Sequence, residues 1–288
     1  MRRVLLAVCL SLVFGAGAGA TAQWLNYKTP GVPRTSDGKP KLDAPAPRDA
    51  SGHPDLTGVW LHELTSVDEF RRLFGGPRVD ELRRVDAPGM EIGTQHKYGI
   101  NILLDFKPEE SPMRPDAAAA FLRRLSSPPL DSCSLNGAAG FPLAGLLSEP
   151  IKIVQARQLT MVMYEAGGNF RQIYTDGRKF PDEFNLPAYY GYSIGRWERD
   201  TFVVETAGFN DKTPLDVMGH AHSDAMRVVE RFRRRDFGHL EVEMTFDDPK
   251  TYTRPFTIRV PHNLLADQDI FEMISENEKD CAHIGAKK

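Results

Sequence analysis

Residues 228–246 read VVERFRRRDFGHLEVEMTF, and the alternation in this stretch decides the fold class. Apolar and charged residues alternate on both sides of Asp236-Phe237-Gly238, which suits a three-residue hairpin loop with glycine in the left-handed region. Such a hairpin pairs Arg235 with His239, and all other pairs follow. The predicted outward pairs are Arg233 with Glu241 and Arg231 with Glu243, and the inward pairs are Phe232 with Val242, Glu230 with Met244 and Val228 with Phe246. A slip of one residue would turn every side chain to the other face, so this register is a strict prediction.

The inward position of Glu230 needs an explanation. An isolated carboxylate in an apolar interior costs several kcal/mol, so Glu230 must meet a cation, take up a proton or line a wet cavity. One interpretation is a carboxyl group with a raised pKa, which suits a general acid or base. The other is a structural pair with Arg196, Arg254 or another inward arginine.

The chain from residue 151 onward continues with short strand-like runs separated by turn residues. These runs predict a mainly β fold. Because such a sheet has to hide its edges, we expect an antiparallel meander that closes into a lipocalin-like barrel or a partly open barrel, with a small helical insert at residues 64–127. The first strand begins within Asp55–Trp60, and the others cover Ile151–Gln155, Leu159–Glu165, Phe170–Thr175, Tyr192–Trp197, Thr201–Ala207, Met226–Arg235, Leu240–Asp247, Phe256–Val260 and Ile270–Ile274. The predicted helices cover Val67–Leu73, Val79–Val85 and Asp116–Leu125.

Tight turns and long loops alternate along this meander. The tight turns are residues 166–169, 198–200 and 236–238, and the long loops are residues 176–190, 208–224 and 248–254. In an up-and-down meander successive connections lie at opposite ends, so we expect the three long loops to meet at one mouth. Long loops without secondary structure of their own are usually functional or disordered, which makes this mouth the predicted site.

The N-terminal part of the chain has the features of an export signal followed by an arm. Arg2-Arg3, the apolar run Val4–Phe14 and the A-x-A motif Ala20-Thr21-Ala22 predict a signal peptide over residues 1–22. Residues 23–54 are rich in Pro, Gly, Asp and Lys, and an imperfect repeat relates residues 33–42 to residues 47–56. We expect each copy to be an extended segment with a D-G or S-G turn, strapped along a single domain over residues 55–288.

Charge and hydropathy restrict the compartment and the partners. The formal net charge is −3, and removal of the leader with its two arginines leaves 34 basic against 39 acidic residues. No basic stripe of the kind that nucleic acid requires is visible. The leader's apolar run is too short to span a bilayer. We therefore expect a periplasmic or secreted protein that binds a small-molecule ligand, without nucleic acid and without a membrane after signal cleavage.

Two cysteines remain after the leader is removed. In an oxidising compartment Cys133 and Cys281 form an even pair, which favours a disulfide. Two separate thiols are the alternative.

Two resemblances bear on these expectations. Gly58-Val59-Trp60 resembles the G-x-W opening of lipocalin-type barrels, which implies an arginine packed on the tryptophan, a part that Arg231 could play. The runs GYSIGRWERDTFVVETAGFND (191–211), GHAHSD (219–224), ERF (230–232) and DDPKTYTRP (247–255) are similar to an uncharacterised family of secreted bacterial proteins. The second resemblance implies an intact exported domain and supplies no reaction.

The second long loop contains His220 and His222, with Asp224 after them. One interpretation is proton transfer by His222 near neutral pH with Asp224 as its orienting carboxylate, and His220 as a substrate contact. A metal site formed by both histidines with Asp211 or Asp224 is another, although the favoured scheme needs no cofactor. A polar loop that simply starts the next strand is the third.

The first long loop is flanked by Tyr174, Asp176 and Arg178 at its start and by Tyr190 and Tyr192 at its end. Arg178 could clamp a carboxylate or oxyanion, and the tyrosines could wall an aromatic ligand. The alternatives are a structural Asp-Gly turn and ordinary packing at strand edges.

The favoured function is an acid–base enzyme of the lyase, isomerase or hydrolase type, acting on a partly apolar or aromatic small molecule. Its predicted catalytic residues are His222, Asp224, Glu230 and Arg178, and Tyr252 and Arg254 of the third long loop join the predicted substrate contacts. A non-catalytic lipocalin-like carrier is the alternative, and a metal-binding protein built on the histidine loop is the second. A partner-binding module is a further class, which a large exposed apolar patch would indicate.

Overall fold

The structure, a computed structural model, describes residues 28–75, 96–125, 150–165 and 169–271. Within these residues nine strands follow one another round a closed barrel, in which the last strand pairs with the first. The strands are β1 Gly58–His62, β2 Ile151–Ala156, β3 Leu159–Tyr164, β4 Phe170–Tyr174, β5 Tyr192–Glu198, β6 Thr201–Ala207, β7 Arg227–Arg234, β8 His239–Asp247 and β9 Phe256–Leu264. The predicted mainly β fold is confirmed, and its closed barrel is compatible with a lipocalin-like one.

The hairpin of β7 and β8 has the predicted register. The backbone N–H of Arg235 donates to the carbonyl of His239 at 2.9 Å beside the loop. The other pairs are Arg233 with Glu241, Arg231 with Glu243, Phe232 with Val242, Glu230 with Met244 and Val228 with Phe246. The inward members of these pairs are all buried. The alternation and the loop residues specify the same register, which is why it could be predicted.

One neighbouring pair of strands, β4 and β5, is parallel, and this changes the placement of the loops. The two strands share only the register pairs Ile173 with Ser193 and Tyr174 with Ile194. A parallel pair needs a connection that returns along the sheet, so the 176–190 loop runs back along the barrel wall. β3 therefore ends, and β4 begins, at the same end as the 208–224 and 248–254 loops, which we call the loop end. The opposite end, with the 198–200 and 236–238 turns, is the arm end.

The expectation that all three tight turns share one end is therefore wrong. It assumed that every neighbouring pair of strands is antiparallel, and the β4–β5 pair is not. The 248–254 and 208–224 loops do share an end, because the strands between them are all antiparallel.

Short helices precede β2. They are α1 Val67–Phe74, α2 Lys97–Ile100 and α3 Pro115–Leu125, with a 3-10 turn over Pro108–Glu110. The hydroxyl of Ser66 caps α1 by accepting the backbone N–H of Glu69 at 3.2 Å. In the described residues, no helix has the length and apolar character that crossing a bilayer requires.

One predicted helix is not tested by the structure, and one predicted strand is not formed by its described residues. The predicted helix over residues 79–85 lies outside the described residues. Residues 270 and 271 are not in a strand, because β9 already closes the barrel on β1, and residues 272–274 lie outside the described part.

Trp60 closes the arm end of the barrel. Its side chain is fully buried, and its Nε1 donates to the carbonyl of Leu56 at 3.0 Å. The guanidinium of Arg234 lies 4.9 Å from the centre of the Trp60 ring. Arg231, which was expected in this role, binds Glu198 at 3.1 Å on the outer surface. That expectation was wrong because residue 231 has the outward parity of the strand, whereas residue 234 has the inward parity.

The sequence repeat of the arm is also a structural repeat. Arg34 and Arg48 each donate to the carbonyl of the glycine four residues later, at 3.0 and 2.7 Å. Each also reaches a carboxylate of the barrel, Arg34 that of Asp267 and Arg48 that of Asp200. Two backbone bonds of 2.7 Å join the carbonyls of Leu42 and Ala44 in the arm to the β7–β8 loop. The described part of the arm is strapped to the barrel, as predicted.

Candidate functional site

A buried polar cluster crosses the barrel interior at Glu230. Arg171 of β4 donates through Nη1 and Nη2 to the two carboxylate oxygens of Glu230, at 3.0 and 2.5 Å. It also donates through Nε to Ser193 Oγ at 2.9 Å and through Nη2 to Thr206 Oγ1 at 2.6 Å. The side chains of Arg171 and Glu230 are 1% and 0% exposed. We call these four residues the buried polar cluster.

The cluster gives Glu230 the structural partner that the sequence left open. Two-point binding to a guanidinium holds the carboxylate in place and gives each of its oxygens a hydrogen bond. Arg196 instead pairs with Glu198 and Glu205 on the outer surface. The geometry therefore supports a structural role for Glu230 rather than proton transfer.

Tyr164 of β3 lies close to this cluster with an unsatisfied hydroxyl. The residue is 6% exposed, and its ring stacks on Tyr190 at a centroid distance of 5.4 Å. Burial raises the pKa of its hydroxyl well above the ordinary value, and the nearby Arg171 opposes that rise. The Arg171 guanidinium lies close enough to act on the hydroxyl, but the hydroxyl has no partner in good hydrogen-bonding geometry among the described residues. A buried hydroxyl left without a partner costs about 1–3 kcal/mol, so a polar ligand group or a water would be stabilised here.

A cleft of about 440 Å³ opens in the barrel wall beside the cluster, where β4 and β5 separate. Arg171 and Ser193 are its most buried lining residues. Its walls are largely aromatic and include Tyr174, Tyr189, Tyr190 and Tyr192. We call it the tyrosine cleft. Its volume lies within the range of roughly 300–1,000 Å³ that is usual for small-molecule sites.

Arg178 lies on the outer face of the same wall. Its guanidinium is 3.8 Å from the centre of the Tyr174 ring, and Nη1 donates to the Tyr192 hydroxyl at 3.1 Å. Nη2 donates to the Asp176 carboxylate at 2.6 Å, and this bond holds the pKa of Asp176 below its usual range. The predicted residues of the first long loop therefore come together, but Arg178 already has a carboxylate partner.

A second polar group lies at the loop end and consists of Asp216 and His220. The carboxylate of Asp216 binds Nδ1 of His220, and the side chains are 0% and 3% exposed. Asp216 also accepts the backbone N–H groups of Ile102, Gly219 and His220, at 2.7, 2.8 and 3.0 Å. These bonds fix the carboxylate, and the carboxylate fixes the tautomer and the orientation of the imidazole. Among the described residues, Nε2 of His220 makes no hydrogen bond.

The helical insert holds this pair in place. The N–H groups of Val217 and Met218 donate to carbonyls of α2, at 3.0 and 3.2 Å. The ring of Phe121 from α3 stacks on His220 at 4.0 Å with an interplanar angle of 18°. The insert is therefore part of the site rather than an appendage.

His222 is placed differently from His220. Its Nε2 lies 3.2 Å from Thr213 Oγ1, its Nδ1 lies 3.2 Å from the carbonyl of Ser223, and the residue is 6% exposed. Burial holds the pKa of His222 below its ordinary value. The neutral imidazole is therefore favoured, as a base would require, but both nitrogens already have partners.

Asp224 has a different partner from the expected one. It is exposed and binds Lys250 Nζ at 2.6 Å. The carboxylate that orients a loop histidine is Asp216, and the histidine is His220. Residues 216 and 220 are four positions apart in a loop without strand structure. The alternation that places side chains in a strand therefore could not predict this pairing.

Residues of the third long loop support the loop end. The Tyr252 hydroxyl donates to the carbonyl of Ala221 at 2.8 Å. Arg254 donates to the carbonyl of Glu110 at 3.3 Å and lies 5.5 Å from the ring centre of Phe106. Tyr252 is thus in contact with the histidine loop, whereas Arg254 contacts the insert.

Phe209 separates the tyrosine cleft from the histidine loop. Its ring lies 5.9 Å from that of His222. On the cleft side, a Cβ at Gly191 would lie 3.1 Å from the same ring, and Gly191 has φ +62°. The predicted residues therefore form two neighbouring groups rather than one mouth, with Arg178 in one and both histidines in the other.

The predicted metal site involves described residues, whereas the predicted disulfide does not. The described residues contain no group of three or more His, Cys, Asp or Glu residues arranged to hold a metal ion. Cys133 and Cys281 lie outside the described residues, so their pairing stays a prediction.

Sequence reasoning missed Arg171, Tyr164 and Asp216. Alternation in β4 does contain a signal, because Arg171 has the same parity as the apolar Ile173 and therefore points inward. Tyr164 likewise shares the parity of Val162 in β3.

Comparisons with protein-family models, with curated proteins and with solved structures find no match to this chain.

Proposed function

We propose that the protein binds a small, partly aromatic molecule in the tyrosine cleft. The observation that carries this proposal is the combination of an aromatic-walled cleft with a buried polar floor and an unsatisfied Tyr164 hydroxyl behind Tyr190. Aromatic side chains supply apolar contact area, and a few buried polar groups fix the orientation of a ligand.

The chemistry of the cleft favours a neutral ligand. Arg171 is neutralised by Glu230, so the floor offers hydrogen bonds without a free charge. The Tyr164 hydroxyl can donate to or accept from a ligand group, and burial keeps it protonated. A phenol, an aromatic alcohol or an aromatic ketone has the required combination of ring and polar group.

A pair of tyrosine variants tests the cleft. Tyr164→Phe removes a buried hydroxyl without a partner, so the free energy of unfolding should not fall below that of wild type. Affinity for a neutral aromatic alcohol or ketone, measured by calorimetry across a panel, should fall about tenfold, since about 1.4 kcal/mol of hydrogen bonding is lost. Tyr252→Phe is the matched control: it should leave affinity unchanged and lower stability by about 1 kcal/mol, because that hydroxyl has a partner.

Tyr190→Ala provides the stricter comparison. It removes a wall of the cleft and should reduce binding far more than Tyr164→Phe. Equal affinities of wild type and Tyr190→Ala for every ligand that binds would exclude the tyrosine cleft as the site.

The second candidate function is acid–base catalysis by Asp216 and His220. A carboxylate that fixes Nδ1 leaves Nε2 as the nitrogen that exchanges a proton with a substrate. This pairing favours His220 over His222 as the reacting histidine, and a lyase, isomerase or hydrolase reaction is compatible with it.

Turnover measurements separate the enzyme from a lipocalin-like carrier. In a screen of small molecules, conversion that is lost in His220→Gln and retained in His222→Gln supports the enzyme with His220 as its base. Stoichiometric binding without conversion, unchanged in His220→Gln, supports the carrier.

Export to the periplasm or the extracellular space is part of the proposal. It rests on the leader over residues 1–22 and on the resemblance to secreted bacterial proteins. N-terminal sequencing of the mature protein should begin at Gln23, and an intact Met1 on fractionated protein would contradict it.

A further inference from the structure

A second cavity lies at the arm end of the barrel. Its volume is about 440 Å³, and it lies between the arm, the start of β1 and the segment that follows β9. Most of its lining is apolar and includes Val32, Val59, Phe237, Leu264 and Ala266. Neither the tyrosine cleft nor the histidine loop contributes to it.

One charged side chain, Arg234, is buried at this cavity. The residue is 5% exposed, and its guanidinium packs on the rings of Trp60 and Phe237 at 4.9 and 5.0 Å. Burial lowers the pKa of Arg234 to about 10, so it remains positively charged at neutral pH.

The hydrogen bonds of Arg234 all go to backbone carbonyls. Nε reaches the carbonyls of Asp236 and Phe237 at 3.2 Å each, Nη1 reaches that of Asp55 at 2.5 Å, and Nη2 also reaches Phe237. A guanidinium has five N–H groups, so one N–H on each Nη nitrogen has no hydrogen-bond partner among the described residues. No described carboxylate hydrogen-bonds this cation.

The carboxylates of Asp55, which also lines the cavity, and Asp236 act on Arg234 through space, but their hydrogen bonds go to other groups. Asp55 accepts the backbone N–H of Thr57 at 2.8 Å, and Asp236 accepts from Gly238 and contacts His239. At the rim of the cavity, Lys152 and Asp269 neutralise each other at 2.7 Å. Arg234 is therefore the cation with donors left for an anion in this cavity.

We propose that this cavity binds an amphipathic carboxylate, with an aliphatic chain against the apolar walls and the carboxylate on Arg234. A carboxylate matches the planar fork of a guanidinium and supplies the acceptors that the two remaining N–H groups lack. The aliphatic chain would stabilise the complex by burying its apolar surface against the walls of the cavity. This site is independent of the tyrosine cleft.

The arm forms one wall of this site. Thr29–Val32 line the cavity, and Arg34 fastens the arm to Asp267 through an ion pair whose side chains are each 20% exposed. Entry of a chain-like molecule can therefore proceed by displacement of a short strap, without opening the barrel.

Calorimetry on the full mature protein with decanoate, decanol and decylamine tests the head group. The three probes have alkyl chains of the same length and differ in the charge of the head group. Decanoate should bind at least tenfold more tightly than decanol, and decylamine should bind more weakly than both. Equal affinities for decanoate and decylamine, or no binding of decanoate to folded protein, would overturn the proposal.

Variants that fill the cavity test its location. Ala266→Trp should lower the affinity for decanoate at least tenfold, and Leu186→Trp is the matched control because Leu186 is 91% exposed outside the cavity. Val32→Trp fills the cavity from the arm side and gives the same test should Ala266→Trp fail to fold, as judged by thermal unfolding. Unchanged affinity in a folded cavity variant would place decanoate elsewhere and refute the site.

Discussion

Arg171 and Glu230 are 59 residues apart in sequence and form a two-point ion pair inside the barrel. Arg171 lies on β4 and Glu230 on β7, so the pair connects the parallel β4–β5 region to the β7–β8 hairpin. With Ser193 and Thr206, it satisfies a charge pair that the apolar interior would otherwise not tolerate.

Replacing one member of this pair should be severe. Glu230→Gln leaves Arg171 buried without a counter-charge, and we expect the free energy of unfolding to fall by about 3–5 kcal/mol in urea titrations.

The double variant Arg171→Met, Glu230→Met is the control for this prediction. It removes both charges together and should be less destabilised than Glu230→Gln alone, because replacing a whole buried pair by apolar residues is often close to neutral. A Glu230→Gln protein as stable as wild type would mean that the ion pair does not offset the free-energy cost of burying Arg171.

Asp216 should matter more for stability than Asp224. Asp216→Asn weakens four hydrogen bonds to a buried carboxylate, and bonds to a charged group are worth about 1.5–3 kcal/mol each. We expect a loss of at least about 2 kcal/mol by chemical unfolding. Asp224→Asn is the control, since its exposed pair with Lys250 should leave stability unchanged. The reverse order of the two losses would contradict the assignment of the oriented carboxylate.

The two arm arginines should differ although the sequence repeat makes them equivalent. Arg34 and Asp267 are each 20% exposed, whereas Arg48 and Asp200 are 52% and 61% exposed. Water screens the second pair more strongly. Arg34→Ala should therefore loosen the arm more than Arg48→Ala, with faster amide exchange or limited proteolysis of residues 29–42 as the measure. Equal exchange in both variants would contradict it.

Stability should fall as the pH drops from 6.5 towards 4.5. Burial, with the nearby His62, His262 and Lys97, lowers the pKa of His96 to about 3, and burial also lowers that of His222. Because the unfolded state takes up these protons first, the stability from each group is complete above the unfolded pKa near 6.5. It is lost as the pH falls from 6.5 towards the folded pKa, by at most about 1.4 kcal/mol per unit for His96, and His222 contributes in the same direction.

Single variants show which histidine causes the fall in stability at low pH. His96→Asn keeps an acceptor for the backbone N–H of Tyr98, which donates to Nδ1 at 3.3 Å, and should flatten the slope between pH 6.5 and 4.5. Urea unfolding at several pH values measures it. A slope that is the same in wild type, His96→Asn and His222→Asn would show that other groups titrate in this window.

The sequence by itself determined the elements whose signals are local. The register of β7 and β8 follows from period-two alternation and a glycine at the loop, and the inward parity of Glu230 follows with it. The repeat of the arm was also visible, because each copy closes its own turn.

Only the tertiary structure decided which distant residues meet. The partner of Glu230 is Arg171 because barrel closure brings β4 opposite β7, and no property of either strand alone specifies that contact. The parallel β4–β5 pair likewise depends on how the 176–190 loop packs on the barrel wall. Because of this arrangement, Arg178 lies on Tyr174 and apart from the histidines. Local patterns determine which way a side chain points, whereas contacts across the barrel depend on the closure of all nine strands.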